Sequence, residues 1–166
     1  MTDRLYSHVL VPTDFGPDSR AAYRVALAAA RGSGAAVSLL HVIPGPTGDD
    51  YHGLDAIRLL HRAAERVGSD GLLPAGELSA AEARCLDRLR AEIPAAVAGP
   101  TELRLEVRRG DVTAEVARYA AETDVDLIVA GGARPGLLPN LGFGLADRVA
   151  RATPVEVVRV TPPQPA

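Results

Sequence analysis

The stretch His8-Val9-Leu10-Val11-Pro12-Thr13-Asp14-Phe15-Gly16-Pro17 decides the fold. Its first half has no polar alternation, the pattern of a strand covered on both faces. Asp14-Phe15-Gly16-Pro17 stops that strand. Pro17 suits a first helical turn, and Asp18 suits the positive end of a helix. The next residues, Ser19 to Arg31, are Ala-rich with Tyr23, Val25 and Leu27 at helical spacing. Gly32-Ser33-Gly34 closes that helix. Ala36 to Ile43 is a second apolar strand. The first third therefore reads as a βαβ unit with a right-handed crossover.

The centre of the chain is less regular. Pro44 to Gly53 carries prolines, glycines and Asp49-Asp50, and reads as a loop. Leu54 to Val67 reads as a helix with Leu54, Ile57, Leu60 or His61, and Ala64 on one face. Gly68 to Gly76 reads as another loop. Ser79 with Glu82 three residues later forms a capping-box pattern, predicting a helix from Ser79 to about Glu92, before Pro94. Regular alternation returns at Glu102. Leu103, Leu105 and Val107 alternate with charge as a half-exposed strand up to Arg109. Gly110-Asp111 turns the chain, and Val112, Val116 and Tyr119 make the inner stripe of a helix ending near Glu122. Val125 to Ala130 is a strand, and Gly131 to Gly144 a long Gly/Pro connection. Leu145, Val149 and Ala152 mark a short helix, and Val155 to Val160 the last strand. Repeated alternation of strand and helix implies an α/β fold with a five-stranded parallel sheet covered on both faces.

Composition excludes several functions. The chain has 166 residues and a hydrophobic fraction of 47%, which suits one domain, 1–166, with an irregular insertion at about 44–100 and a Pro-rich tail at 161–166. Its net charge of -3 offers no basic field, so no nucleic-acid partner is expected. Every basic residue is Arg, and without Lys neither a Walker lysine nor a Schiff-base lysine is available. A single cysteine, Cys85, excludes an internal disulfide and a Cys-rich metal site, and suits a reducing compartment. Mid-helix, Cys85 reads as a small packing residue. No signal peptide is legible at Met1 to Tyr6, and no apolar run approaches the roughly 18 residues of a membrane helix. The expectation is a cytoplasmic protein with no membrane partner.

Several segments, taken together in order, resemble the universal stress protein family. Val9 to Phe15 looks like its opening strand, and Leu40-His41-Val42-Ile43 like its second. Gly110-Asp111, Glu115-Val116 and Tyr119-Ala120 are similar to its third helix. Asp126 to Gly131 resembles its fourth strand and the start of a nucleotide loop. Ala146 to Val149 and Pro154 to Val158 resemble the closing helix and strand. The match covers both ends of the chain, and Pro44 to Pro100 only loosely. The resemblance implies a sheet order of 3-2-1-4-5 (Rossmann-like, of the adenine-nucleotide α-hydrolase type) and a homodimer. The expectation is a stress-response protein that is not an enzyme, with slow ATPase or nucleotidyl chemistry as the remaining alternative, since no general base is visibly poised for attack. In one branch of the family the resemblance also implies ATP with Mg²⁺ between the first and fourth strands. Open α/β sheets place ligands at that reversal of strand order in any case.

The ATP-binding branch carries a loop of the form G-x2-G-x9-G-[ST]. Small residues there let backbone approach phosphate. Gly131 fits the first position and Gly144 the third, but Arg134 stands at the second and Leu145 replaces the hydroxyl. Aligning backwards from Ala146 puts Phe143-Gly144 at the Gly-Ser pair instead. The resemblance assigns Pro12, Thr13, Asp14, Val42, Gly131, Gly132, Arg134, Gly144 and Leu145 to the site. Arg134 would supply a charge-assisted contact, Asp14 would face an adenine amino group or Mg²⁺, and Val42 would offer backbone atoms to the base. Two readings stay open: the loop binds adenine nucleotide, or Arg134 and Pro135 fill it and the chain is an interaction module without a ligand. Asp14 equally reads as a cap for the first helix.

Other candidates read as structural. Asp49-Asp50-Tyr51-His52 suits a solvated turn better than a metal site. His41 reads as a core or crevice histidine. His8 and His61 have no Asp or Ser at triad-like spacing, and no G-x-S-x-G elbow exists. The turn after the first strand is neither G-x-G-x-x-G nor Ser-Gly-Gly, which argues against dinucleotide binding and pyrophosphatase-type ligation. Val155 to Val160 should form an edge strand. Antiparallel pairing with its own copy about a two-fold between Val157 and Val158 would set Glu156 opposite Arg159 of the partner subunit, the expected homodimer contact.

Overall fold

A computed structural model describes residues 6–44, 75–92, 102–132 and 144–161. Chain order is β1 (His8–Thr13), α1 (Pro17–Ser33), β2 (Ala36–Pro44), α2 (Ala75–Glu92), β3 (Leu103–Gly110), α3 (Val112–Glu122), β4 (Leu127–Gly131), α4 (Leu145–Ala152) and β5 (Glu156–Val160). The five strands form one sheet in the order β3-β2-β1-β4-β5. All four pairings are parallel. The fold class and strand order are those expected from the sequence.

The period-two alternation of each strand builds two cores. Val9, Val11, Val37, Leu39, Leu127 and Val129 point to one face, where they meet α1 and Leu89 of α2. Leu10, Leu40, Val42 and Ile128 point to the other, against Val116 and Tyr119 of α3 and Val149 of α4. Every residue of β1 is buried, as the central position requires.

Several local expectations change. In α1 the core face is Ser19, Ala22, Tyr23, Ala26 and Ala30, whereas Val25 is exposed. A period of 3.6 carries Val25 off the stripe that contains Tyr23 and Ala26. Helix α2 begins at Ala75, so Ser79 and Glu82 lie inside it and do not cap it. In α4, Ala146 and Val149 are buried while Ala152 is exposed at the last turn. Strand β4 starts at Leu127 and β5 at Glu156, each slightly later than expected. The expected helix at 54–67 and the Asp49–His52 turn lie outside the described residues. Gly34 ends α1 in the left-handed region at φ 72, with its amide donating to the Ala30 carbonyl.

A polar clasp joins the amino ends of β1 and β4, opposite the carboxyl ends where a ligand would sit. Asp126 accepts from the Ser7 amide and hydroxyl, both at 2.8 Å, and from the His8 amide at 3.1 Å. His8 is buried beneath this clasp. Its Nδ1 faces the Thr123 carbonyl at 2.8 Å and its Nε2 faces Ser38 Oγ at 2.7 Å. A carbonyl only accepts, so the proton resides on Nδ1. Ser38 Oγ also bonds Tyr119 Oη at 2.8 Å. Spacing along the chain hid this His–Ser pair, because β1 and β2 bring together residues far apart in sequence. It serves packing and satisfies its own polar atoms away from the cleft.

Where β4 ends, Gly131 permits a close approach. A Cβ built there would lie 2.8 Å from both the carbonyl carbon and the Cβ of Asp18 in the first turn of α1. At Gly132 the nearest neighbours of a Cβ would be side-chain atoms, Arg159 carbons at 3.0 Å and Thr161 Oγ1 at 3.2 Å. Arg159, in turn, reaches the Asp147 carboxylate within the chain.

Two predictions follow from these contacts. Gly131→Ala should cost about 1–3 kcal/mol in urea unfolding, because backbone cannot step aside, while Gly132→Ala should stay within about 0.5 kcal/mol. The Asp126 carboxyl is held below its ordinary value of 3.8: burial opposes its charge, but the Ser7 and His8 donors outweigh that penalty. A lowered folded pKa adds stability above the unfolded value that disappears as pH falls through it. Asp126→Asn should therefore flatten the loss of stability between about pH 5 and 2, measured by denaturant midpoints against pH.

Candidate functional site

The sheet reverses its order at β1, whose neighbours β2 and β4 lead away in opposite directions. A cleft of about 350 Å³ opens there, at the carboxyl ends of the strands. Pro12, Thr13, Asp14, Val42, Gly131, Gly132 and Leu145 line it, so most of the site residues expected from the sequence come together. Gly144 stands next to it as the residue preceding α4. Arg134 lies outside the described residues. Asp18, Ser19, Leu40, His41, Pro44 and Val112 also line the cleft and were missed as site residues. They fall outside the motif positions; the register of β1 and β2 and the turn into α1 reveal all but Val112, which enters from the start of α3.

The turn after β1 is held by its own side chains. Asp14 Oδ1 accepts from the Gly16 amide at 2.8 Å and from the Ser19 hydroxyl at 2.7 Å. Gly16, not Asp14, is the residue that caps α1, and it provides no side chain to do so. Asp14 thus shapes the turn before the helix (an Asx-type turn) instead of capping it. Burial works against its charge, yet the Ser19 hydroxyl and backbone amides outweigh this and hold its carboxyl below the ordinary range. Asp14 is consequently an exposed, ionised acceptor at neutral pH.

Phe15 occupies the left-handed region at φ 65, a costly conformation for a bulky residue. Packing secures it. Its buried ring lies 4.5 Å from that of His41, and the Arg88 guanidinium of α2 sits 4.2 Å above its centroid. The Phe15 amide donates to Thr13 Oγ1 at 2.9 Å, and Thr13 Oγ1 is bonded in turn to Tyr23 Oη of α1. His41 Nδ1 donates to the Thr13 carbonyl at 2.8 Å, locking the end of β1 to β2. The turn is pre-organised before any ligand arrives.

Strand β2 outruns β1. Pairing with β1 ends at Thr13 opposite His41, whereas β2 continues to Pro44 and remains paired with β3 on its other side. Among the described residues no strand lies beside the edge of Val42 to Pro44 that faces the cleft. Such an edge presents backbone donors and acceptors to a flat heterocycle. Among the described residues no group of three or more His, Cys, Asp or Glu is placed to hold a metal ion. No described helix is long and apolar enough to cross a membrane.

Comparison with known proteins agrees with this architecture. UspA, a universal stress protein from Lactobacillus plantarum, superposes with a TM-score of 0.59 at 22% identity, covering 93% of this chain and 97% of that one. A universal stress protein in complex with cAMP gives a TM-score of 0.57 at 19% identity, with 95% and 98% covered. One from Archaeoglobus fulgidus in complex with dAMP gives 0.50 at 21% identity, with 94% and 98% covered. At these identities the likeness carries the fold. No curated protein matches the chain. The profile of the universal stress protein family matches residues 5–161, nearly the whole sequence, and the chain belongs to that family.

Proposed function

We propose that this protein binds an adenine nucleotide in the cleft between β1 and β4 and acts in a stress response by binding, not by catalysis. The observation that carries this reading is the edge of Val42 to Pro44, which no described strand covers, beside the ionised Asp14 carboxylate. An adenine nucleotide matches both features: backbone groups pair with the ring edge, and a strong acceptor takes a hydrogen bond from the adenine amino group or a ribose hydroxyl. Related folds in complex with cAMP and dAMP support the choice of adenine. A carboxylate stabilised in its ionised form is a poor proton acceptor at neutral pH, which favours binding over general-base chemistry.

A competing reading, an interaction module without ligand, is favoured by Leu145, an apolar lining residue where the ATP loop has a hydroxyl. One experiment separates them. Purified protein is denatured and the supernatant assayed for adenine nucleotide, and the refolded protein is titrated calorimetrically with AMP. Binding with an affinity about ten-fold weaker in Asp14→Asn is expected, the size of one hydrogen bond to a charged group. Neither released nucleotide nor heat on titration would favour the module.

A further inference from the structure

The turn that carries Asp14 is gripped from behind by a helix outside the cleft lining. Helix α2 reaches it through Arg88, whose guanidinium sits 4.2 Å from the centroid of the Phe15 ring. One helical turn later, Glu92 accepts two hydrogen bonds from the Arg20 guanidinium, at 2.8 and 3.0 Å. Arg20 belongs to the first turn of α1, and its amide donates to the Gly16 carbonyl at 3.1 Å. Leu86 and Leu89 seat α2 on the sheet, so the exposed Arg88 is not what holds the helix in place. Neither Arg88 nor Glu92 is among the residues that line the cleft.

The residue under Arg88 is the one the turn depends on. Phe15 stands at φ 65, which a bulky side chain keeps only while its surroundings hold it. Its amide donates to Thr13 Oγ1 at 2.9 Å, and the next amide, that of Gly16, donates to Asp14 Oδ1 at 2.8 Å. Rotation about the N–Cα bond of Phe15 to a negative φ re-aims one of these amides against the other. One bond breaks, and the Asp14 carboxylate loses its fixed direction. The Phe15 ring also lies 4.5 Å from that of His41, a lining residue whose Nδ1 donates to the Thr13 carbonyl. Contact therefore runs without a gap from Arg88 through Phe15 to the cleft.

We propose that Arg88 is a positioning residue for the ligand cleft: by covering the Phe15 ring it keeps the turn after β1 in its binding form, and so links the last turn of α2 to occupation of the cleft. The proposal rests on the adenine-binding reading above and adds to it a helix from the irregular centre of the chain. A turn held in advance raises affinity by raising the fraction of molecules competent to bind. Linkage between sites is reciprocal, so a ligand that holds the turn also holds the last turn of α2.

The test combines calorimetric titration with adenosine and hydrogen exchange of α2. Arg88→Ala should weaken adenosine binding about ten-fold, and Arg88→Lys, which keeps a cation over the ring, should recover part of that loss. Glycine adopts φ 65 without steric cost, so in a Phe15→Gly background Arg88→Ala should change affinity less than about two-fold. In the unaltered protein, saturation with adenosine should slow amide exchange at Leu89 to Glu92, which lie outside the cleft. Equal affinity in Arg88→Ala, or exchange in α2 that does not respond to adenosine, would overturn the proposal while leaving adenine binding intact. The full loss persisting in the Phe15→Gly background would overturn it too, because Arg88 would then act by another route. The exchange measurement needs no variant, so a poorly folded Phe15→Gly protein leaves the proposal exposed to refutation. No binding of adenosine to the unaltered protein would overturn the adenine reading itself, and this proposal with it.

Discussion

The close seating of α1 on the end of β4 governs the rest of the molecule. Gly131 lets the first turn of α1 descend until Asp18 backbone occupies the space where a side chain would be. That contact brings the acidic start of α1 to the cleft. Dispersion and burial reward such proximity, and only glycine avoids the steric cost. The same residue that a motif reading assigns to phosphate binding thus has a sufficient structural reason to be glycine.

Around this contact the turn after β1 is assembled as a rigid unit. Phe15 is held in a strained conformation by His41 and Arg88, and Thr13 is tied to both Tyr23 and Phe15. Asp14 closes the turn by accepting from Gly16 and Ser19. Strain of about 1–3 kcal/mol at such a residue persists only where neighbours fix it. A turn ordered in advance reduces what a ligand must spend in lost freedom on binding. The Gly16 amide and the Ser19 hydroxyl of that turn are already engaged by Asp14.

The sheet was legible because parallel strands buried on both faces write continuous apolar runs, as in Val9 to Thr13 and Ala36 to Ile43. Helix α3 was legible from Val112, Val116 and Tyr119; that Asp111, read as part of a turn, caps it by accepting from the Ala114 amide at 2.8 Å was not. The start of α2 was not, because Ser79 and Glu82 reproduce a capping pattern inside a helix that begins at Ala75. In the cleft, Asp14, Val42 and Gly131 were found through the family resemblance. His41 was read as a crevice histidine, but its bond to Thr13 depends on strand register, which spacing does not encode. Asp18 was read as a helix-end carboxylate, and its second position, on the cleft, appears only when α1 is laid against β4. The pairing of His8 with Ser38 was hidden for the same reason.

The central claim is that a ligand sits at the carboxyl ends of β1, β2 and β4, on a pre-formed turn. Backbone amide NMR during titration with adenosine tests it most directly. The account predicts the largest shifts at Asp14 to Ser19, at Val42 and Ile43, and at Gly131 and Gly132. Shifts concentrated instead at Ser7, His8 and Asp126, at the opposite end of the strands, would contradict it.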